Sequence, residues 1–349
     1  MDPNAGKKGL YNKYSREELQ KRIDAEPFTR KTISFYRYVR INAPQEMRDQ
    51  LYQEWSEWAC LGRIYIAEEG INAQMNVPEH NWDRFVETLY AHPEFKDVPF
   101  KIAVEDDGKS FLKLAIKVRK QIVADGLKPE DYDVTNVGRH LTAEEWNAAL
   151  EQGAIVVDMR NHYESEIGHF ENSILPEAET FREELPMVLE KLKGQEDKKI
   201  LLYCTGGIRC EKTSAYLKHY GFKDVNQLYG GIIDYHRQIK TRALPNKFHG
   251  VNFVFDERLG EQISGELISR CHQCDRPSAH HTNCANKACN LLFIQCEACA
   301  EEHLGTCSPA CLDVVQLPEE EQKKLRKGVQ NTKRYHSHEK VDLKQAFEH

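Results

Sequence analysis

The sequence predicts a multidomain protein of mixed α+β and α/β class, on three observations. A strand–helix–strand–strand–helix–strand pattern opens the chain. Strands and helices then alternate, with strands apolar on both faces. Finally, eight of the eleven cysteines crowd between Cys271 and Cys311. At 349 residues the chain is long enough for separate cores.

Residues 1–27 are polar and are expected to be frayed or loosely docked. Thr32 to Val39 alternates and is rich in aromatic and β-branched residues, which predicts a strand. Met47, Leu51, Trp55 and Trp58 form a helical stripe behind Pro44, a residue suited to a helix start. Arg63–Ala67 and Asn72–Val77 read as two further strands and Glu79–Tyr90 as a helix. Phe100–Val104 and Leu112–Val118 read as the last strands, expected to pair as a hairpin around Asp106-Asp107-Gly108. This βαββαβ order predicts a ferredoxin-like sandwich over residues 28–122. Lys113, Lys117 and Arg119 recur at even spacing and share one strand face. With Lys101, Lys109, Lys120 and the Tyr36-Arg37-Tyr38 run, they form a candidate RNA phosphate footprint; the plainer alternative is a solvated sheet face.

Residues 123–140, with Gly126 and Pro129, read as a linker. Thr142 to Glu145 then offers a capping box, and Ala154–Asp158 is a continuous apolar strand of the parallel-sheet kind. Alternating elements up to residue 245 predict an α/β domain with a parallel sheet over 141–245. Its strand Ile200–Tyr203 ends at Cys204, and a helix begins at Arg209. The loop between them, Thr205, Gly206, Gly207 and Ile208, aims backbone N–H groups and a helix N-terminus at one sulfur. Both lower a thiol's pKa, so Cys204 is a candidate nucleophile, with Arg209 countering the anionic sulfur. The bland alternative is an inert core cysteine. Cys210 is either a resolving thiol or a small buried residue of the first helical turn.

Four residues separate Cys204 from Arg209. A loop of that size resembles the persulfide-cradling loop of rhodanese domains; cysteine phosphatases carry one residue more. Val157-Asp158-Met159-Arg160, Ile167-Gly168-His169-Phe170 and Tyr229-Gly230-Gly231 resemble rhodanese segments in the expected order. That resemblance implies that Asp158 and Arg160 support the loop; a plain structural ion pair is the alternative. A wider resemblance rests on Thr32–Tyr36, Ala67–Gln74, Asp107–Phe111, Asp158–Glu164, Tyr203–Lys212 and Asn252–Arg258. In these stretches the chain resembles bacterial tRNA uridine hydroxylases of the rhodanese superfamily. The resemblance implies oxidation of the wobble uridine to 5-hydroxyuridine with molecular oxygen as co-substrate, Cys204 as the active-site cysteine and the tRNA anticodon arm as partner. It names no electron donor. The competing function is a persulfide sulfurtransferase acting on tRNA or a small acceptor.

Residues 246–316 hold four close cysteine pairs: Cys271 and Cys274, Cys284 and Cys289, Cys296 and Cys299, Cys307 and Cys311. These eight thiols suit two tetrahedral zinc sites of structural type, each with four cysteine ligands. Sequential and interleaved pairings are equally open, His272, His280, His281 or His303 could replace a cysteine, and unmetallated thiols or an iron–sulfur cluster are the alternatives. Residues 317–349 are highly charged and are expected to be disordered. No apolar run approaches the ~20 residues that span a bilayer, so no membrane association is expected. Without an apolar leader segment, a cytoplasmic location and reduced cysteines are expected.

Overall fold

The computed structural model describes residues 14–103, 108–128, 131–256, 258–329 and 342–347. The first unit comprises α1 (Arg16–Asp24), β1 (Arg30–Tyr38), α2 (Pro44–Glu57), β2 (Leu61–Ala67), β3 (Gly70–Pro78), α3 (Trp82–Ala91), β4 (Lys101–Ile102) and β5 (Leu114–Val118). Its sheet runs β4-β1-β3-β2-β5, the ferredoxin-like order with one added edge strand. Ile33, Phe35, Ile64, Ile66, Ala73 and Met75 pack under Leu51, Trp55 and Phe85 of the two covering helices. Because side chains alternate along a strand, Ser34, Tyr36, Asn72 and Gln74 emerge on the opposite, polar face.

The expected hairpin does not form. β4 pairs with β1 and β5 pairs with β2, at opposite edges of the sheet. The cause is packing: Leu114 and Ile116 join the core, and Arg48 of α2 donates to the Ile116 carbonyl at 3.2 Å. Asp106 and Asp107 lie outside the described residues. The supposed single patch of cations is therefore divided, with Lys101 at one edge and Lys113, Lys117 and Arg119 at the other. The stretch before β1, expected to be frayed or loosely docked, contains α1, which a Ser15–Glu18 capping box starts.

The central unit comprises β6 (Arg139–Leu141), α4 (Ala143–Glu151), β7 (Ile155–Asp158), α5 (His162–Ser165), β8 (Gly168–Phe170), α6 (Phe181–Lys191), β9 (Lys199–Tyr203), α7 (Ile208–His219), β10 (Asp224–Leu228) and α8 (Gly231–Arg242). Its parallel sheet runs β6-β10-β9-β7, with apolar clusters on both faces. Cys204 follows an interior strand at its carboxyl end, where open α/β sheets place their sites.

The segment read as a linker is instead a packed seam. Asp125 is buried and takes a 2.9 Å ion pair from Lys212 of α7, which also reaches Glu69 of the first unit at 3.0 Å. Tyr132, also buried, donates its hydroxyl to Asp125 at 3.1 Å. Polar composition at 123–140 concealed this, because the partners lie far away in sequence.

The last unit grows from the edge of the second. β11 (Phe248–Asn252) pairs with β8 and with β12 (Glu261–Gln262). β13 (His281–Asn283) and β14 (Leu292–Ile294) form a hairpin, followed by α9 (Glu297–Glu302), α10 (Pro309–Gln316) and α11 (Glu319–Arg326). The expected disorder beyond residue 316 is corrected at two places. α11 is helical, with acids in its first turn and bases in its last, and Leu343 is buried against Leu291 and Phe293. No helix among the described residues is long and apolar enough to cross a membrane.

Candidate active site

The loop after β9 is built around the Cys204 sulfur. Gly207 sits at φ 94°, which turns its N–H onto Cys204 Sγ at 3.1 Å. A second glycine closes the loop from above. Gly231 sits at φ 68°, where a Cβ would lie 2.6 Å from the carbonyl oxygens of Cys204 and Thr205. Those carbonyls accept instead from the N–H groups of Ile232 and Ile233, at 3.1 and 3.3 Å. The start of α8 thus pins the loop to the sheet.

Cys204 is fully buried and is reached through a cavity of about 210 Å³. Burial opposes ionisation, but hydrogen bonds from the Cys210 thiol and from the Arg209 and Cys210 N–H groups, with the Arg209 guanidinium, outweigh it. The Cys204 thiol is held down at about 6. The Cys210 thiol is pushed up, by burial first and then by its hydrogen bond to Cys204, so it stays protonated and donates. Titrating the ultraviolet thiolate absorbance, with the Cys204→Ser protein as blank, should show thiolate appearing as pH rises through about 6. A midpoint near the ordinary 9.0 would contradict this electrostatic balance.

Arg209 does not point freely at the sulfur. Both its terminal nitrogens donate to Glu164 of α5, at 2.6 and 2.8 Å, and Glu164 is fully buried. Thr205 Oγ1 lies 3.4 Å from the same carboxylate and from the Phe253 carbonyl. Asp158 and Arg160 form a fully buried bidentate pair at 2.9 and 2.6 Å. Asp158 faces Tyr203 in the β7–β9 register, which puts the pair beside the strand end just before Cys204.

The opposite wall of the cavity comes from the first unit. Lys101, Ser34, Tyr36 and Gln74 line it together with Cys204, Gly206 and Arg209. Tyr36 donates to Glu211 of α7 at 3.0 Å, and Tyr38 donates to the Ile208 carbonyl at 3.3 Å. These two tyrosines are thus domain contacts. Burial lowers Lys101 to about 8, against the raising influence of Asp234, Cys204 and Glu211. Asp256, Arg258 and Glu261 of the last unit close the third side, Arg258 holding Asp256 at 2.9 and 2.6 Å and Glu261 at 2.6 Å.

The remaining sequence-predicted cations scatter. Arg37 donates to the Lys96 carbonyl at 2.6 Å, and Lys109 pairs with Asp24 of α1 at 2.9 Å. Lys117 is half-buried, and Arg119 lies over the Tyr65 ring at 5.5 Å. Lys113 lines a larger cleft of about 1130 Å³ between the first and last units, with Arg63 and Lys287, all three exposed. That cleft shares Phe111, Phe255 and Asp256 with the Cys204 cavity.

The eight clustered cysteines form two interleaved sets, which resolves the open pairing. Cys271, Cys274, Cys296 and Cys299 converge in one, and Cys284, Cys289, Cys307 and Cys311 in the other, all sulfurs of a set within 4.8 Å. A tetrahedral zinc with Zn–S near 2.3 Å separates its sulfurs by about 3.8 Å. Cys274 and Cys296 are 3.5 Å apart, Cys289 and Cys307 3.6 Å, and Cys307 and Cys311 3.8 Å. The donor sets therefore fit single tetrahedral ions and use no histidine.

Residues 30–122 match the UPF0176 acylphosphatase-like domain, 142–238 the rhodanese-like domain and 249–312 the rhodanese C-terminal domain. A Leptospira interrogans protein named tRNA uridine(34) hydroxylase is 57% identical over 96% of this chain and 92% of its own. The chain belongs to the tRNA uridine(34) hydroxylase family. Members from Pectobacterium carotovorum and Yersinia enterocolitica are 52% and 50% identical, each over 92% of this chain and over 91% and 93% of their own.

Sequence reasoning missed Glu164 and Glu184, and placed Lys101 in the cation footprint rather than beside Cys204. Glu164 lay within the stretch that carried the family resemblance, but only the fold brings it to Arg209. Glu184 of α6 is fully buried and its carboxyl is pushed well up, by burial first, against the lowering influence of Arg209. Its place on the Phe181, Leu185, Val188 stripe was the available signal.

Proposed function

We propose that the protein hydroxylates C5 of the wobble uridine of tRNA, with the Cys204 thiolate as nucleophile. The observation that carries this reading is the acidified Cys204 in a small cavity that three units enclose, within a chain of this family. The thiolate lone pair forms a bond to C6 of uracil, and the C5–C6 π pair moves toward C5 and the O4 enolate. C5 is then electron-rich enough to attack molecular oxygen. One oxygen atom stays on C5; the other leaves as water, with an external two-electron reductant supplying the balance. Loss of the C5 proton and expulsion of Cys204 restore the ring and the thiolate.

A base must leave its stack to reach a cavity of this size, which favours single-stranded loop substrates such as the anticodon arm. Arg63, Lys113 and Lys287 in the adjoining cleft suit the flanking phosphates. The paired cysteine sets bind structural zinc in this reading, since four thiolates leave no open coordination position. Cys204→Ser should reduce 5-hydroxyuridine in tRNA to background, read by nucleoside mass spectrometry with and without oxygen. Undiminished product in that variant would reject the mechanism.

A further inference from the structure

The open face of the first sheet carries a polar row aimed at the Cys204 loop. Lys101 of β4 lies opposite Ser34 of β1, and Ser34 lies opposite Gln74 of β3. Directly opposed residues share a face, and strands lie about 4.8 Å apart, so the row spans about 10 Å, the scale of one base and its edge. All three side chains line the cavity that contains Cys204. The other side of these strands is apolar: Ile33, Phe35, Ala73 and Met75 belong to the core. The polarity is thus confined to the face that meets the sulfur.

The row has a definite hydrogen-bonding character. An ammonium offers donors only, a hydroxyl offers both roles, and an amide offers a donor and an acceptor side by side. Uracil presents acceptors at O2 and O4 flanking the N3–H donor. Cytosine carries an amino donor where uracil has O4. A lysine facing that position accepts uracil and repels cytosine. Lys101 is held in place: it is buried, its Nζ lies 4.3 Å from the Tyr36 ring centroid, and its Cδ packs close to Gly206 of the loop. A buried cation without an acceptor is costly, which sharpens discrimination against a base that cannot supply one.

We propose that Lys101, Ser34 and Gln74 form the base-reading site, in which Lys101 and Gln74 select uracil over cytosine beside Cys204. This rests on the RNA-modifying function proposed above and assigns its specificity to the first unit. The central α/β domain alone then holds the nucleophile but not the means of choosing its substrate.

The test uses the full chain carrying Cys204→Ala, so that binding is measured without turnover. The probes are two stem-loop RNAs that differ only in uridine or cytidine at the target position. Uridine RNA should bind at least about tenfold more tightly, because a site built around hydrogen-bond partners penalises the wrong base. Adding Lys101→Met or Gln74→Leu should bring the ratio close to unity by weakening the uridine complex, and Lys101→Met should also strengthen cytidine binding by removing the donor that opposes its amino group. Gln74→Glu, isosteric but lacking the donor, provides a variant that keeps the sheet intact. A merely structural role would weaken both RNAs together. An undiminished ratio in the folded variants, or no preference in the parent, overturns the proposal. Absence of 5-hydroxyuridine formation by the unaltered protein would instead reject the proposed reaction, and the two failures are read in separate assays.

Discussion

Glu164→Gln is expected to destabilise the central domain by about 3–5 kcal/mol, because it leaves a buried guanidinium without its counter-charge. The geometry makes this one of the most demanding pairs in the protein: two short hydrogen bonds, with Arg209 only 8% exposed and Glu164 at 0%. For a domain of this size the thermal transition should fall by more than about 10 °C. Arg209→Met should be comparably harmful, since it buries a lone carboxylate. Glu164→Gln combined with Arg209→Met removes both charges and should recover much of the lost stability, giving a large favourable coupling energy in a double-mutant cycle. Function should not recover with it. Arg209 is among the influences that lower Cys204, so the thiol of the double variant should titrate above about 6, moving toward 9.0. Additive losses of stability would show that the two charges do not depend on each other.

This pair marks a boundary of what the sequence discloses. The loop itself was legible, because strand, cysteine, glycines and helix follow one another within ten residues and local chemistry dictates their geometry. The ferredoxin-like order was legible for the same reason, from strand alternation and the stripes of α2 and α3. Glu164 had a local explanation that hid its distant one. It sits three residues after Asn161, and its Oε1 also accepts from the Asn161 N–H at 3.1 Å, as a capping-box acid does. The partner of Arg209 is 45 positions away in sequence, and only the packing of α5 beside the loop joins them. Lys101 was hidden by its strand. With only two residues, β4 gives no alternation to read, and the expected hairpin assigned it to the wrong edge. Lys212 and Asp125 were invisible for the opposite reason: each looks like a solvated charge in sequence, and they become buried only because two units close upon them. What sequence conveys poorly here is contact between units, and the Cys204 cavity is made of such contacts.

Removing the proposed zinc should unfold the last unit and silence the site, because Asp256, Arg258 and Glu261 of that unit close one side of the cavity. The second cysteine set lies in a small core of Cys284, Leu291, Phe293, Cys307, Cys311 and Leu343, too little apolar surface to fold unaided. Structural zinc contributes about 10–16 kcal/mol to zinc-finger peptides, so zinc bound as proposed would be the chief support of the module. The module in turn supports α5. Leu292 and Ile294 of β14 pack with Tyr163, and His272 meets Glu166 at 2.8 Å, on either side of Glu164. A strong chelator should therefore release about two zinc ions per chain, produce a low-temperature unfolding transition, and abolish 5-hydroxyuridine formation. Zinc alone, added back under reducing conditions, should restore all three properties. The metal-loaded protein should be colourless, since d¹⁰ zinc has no visible ligand-field transitions; a coloured protein, or full activity after quantitative removal of metal, would refute the structural role of these eight thiolates.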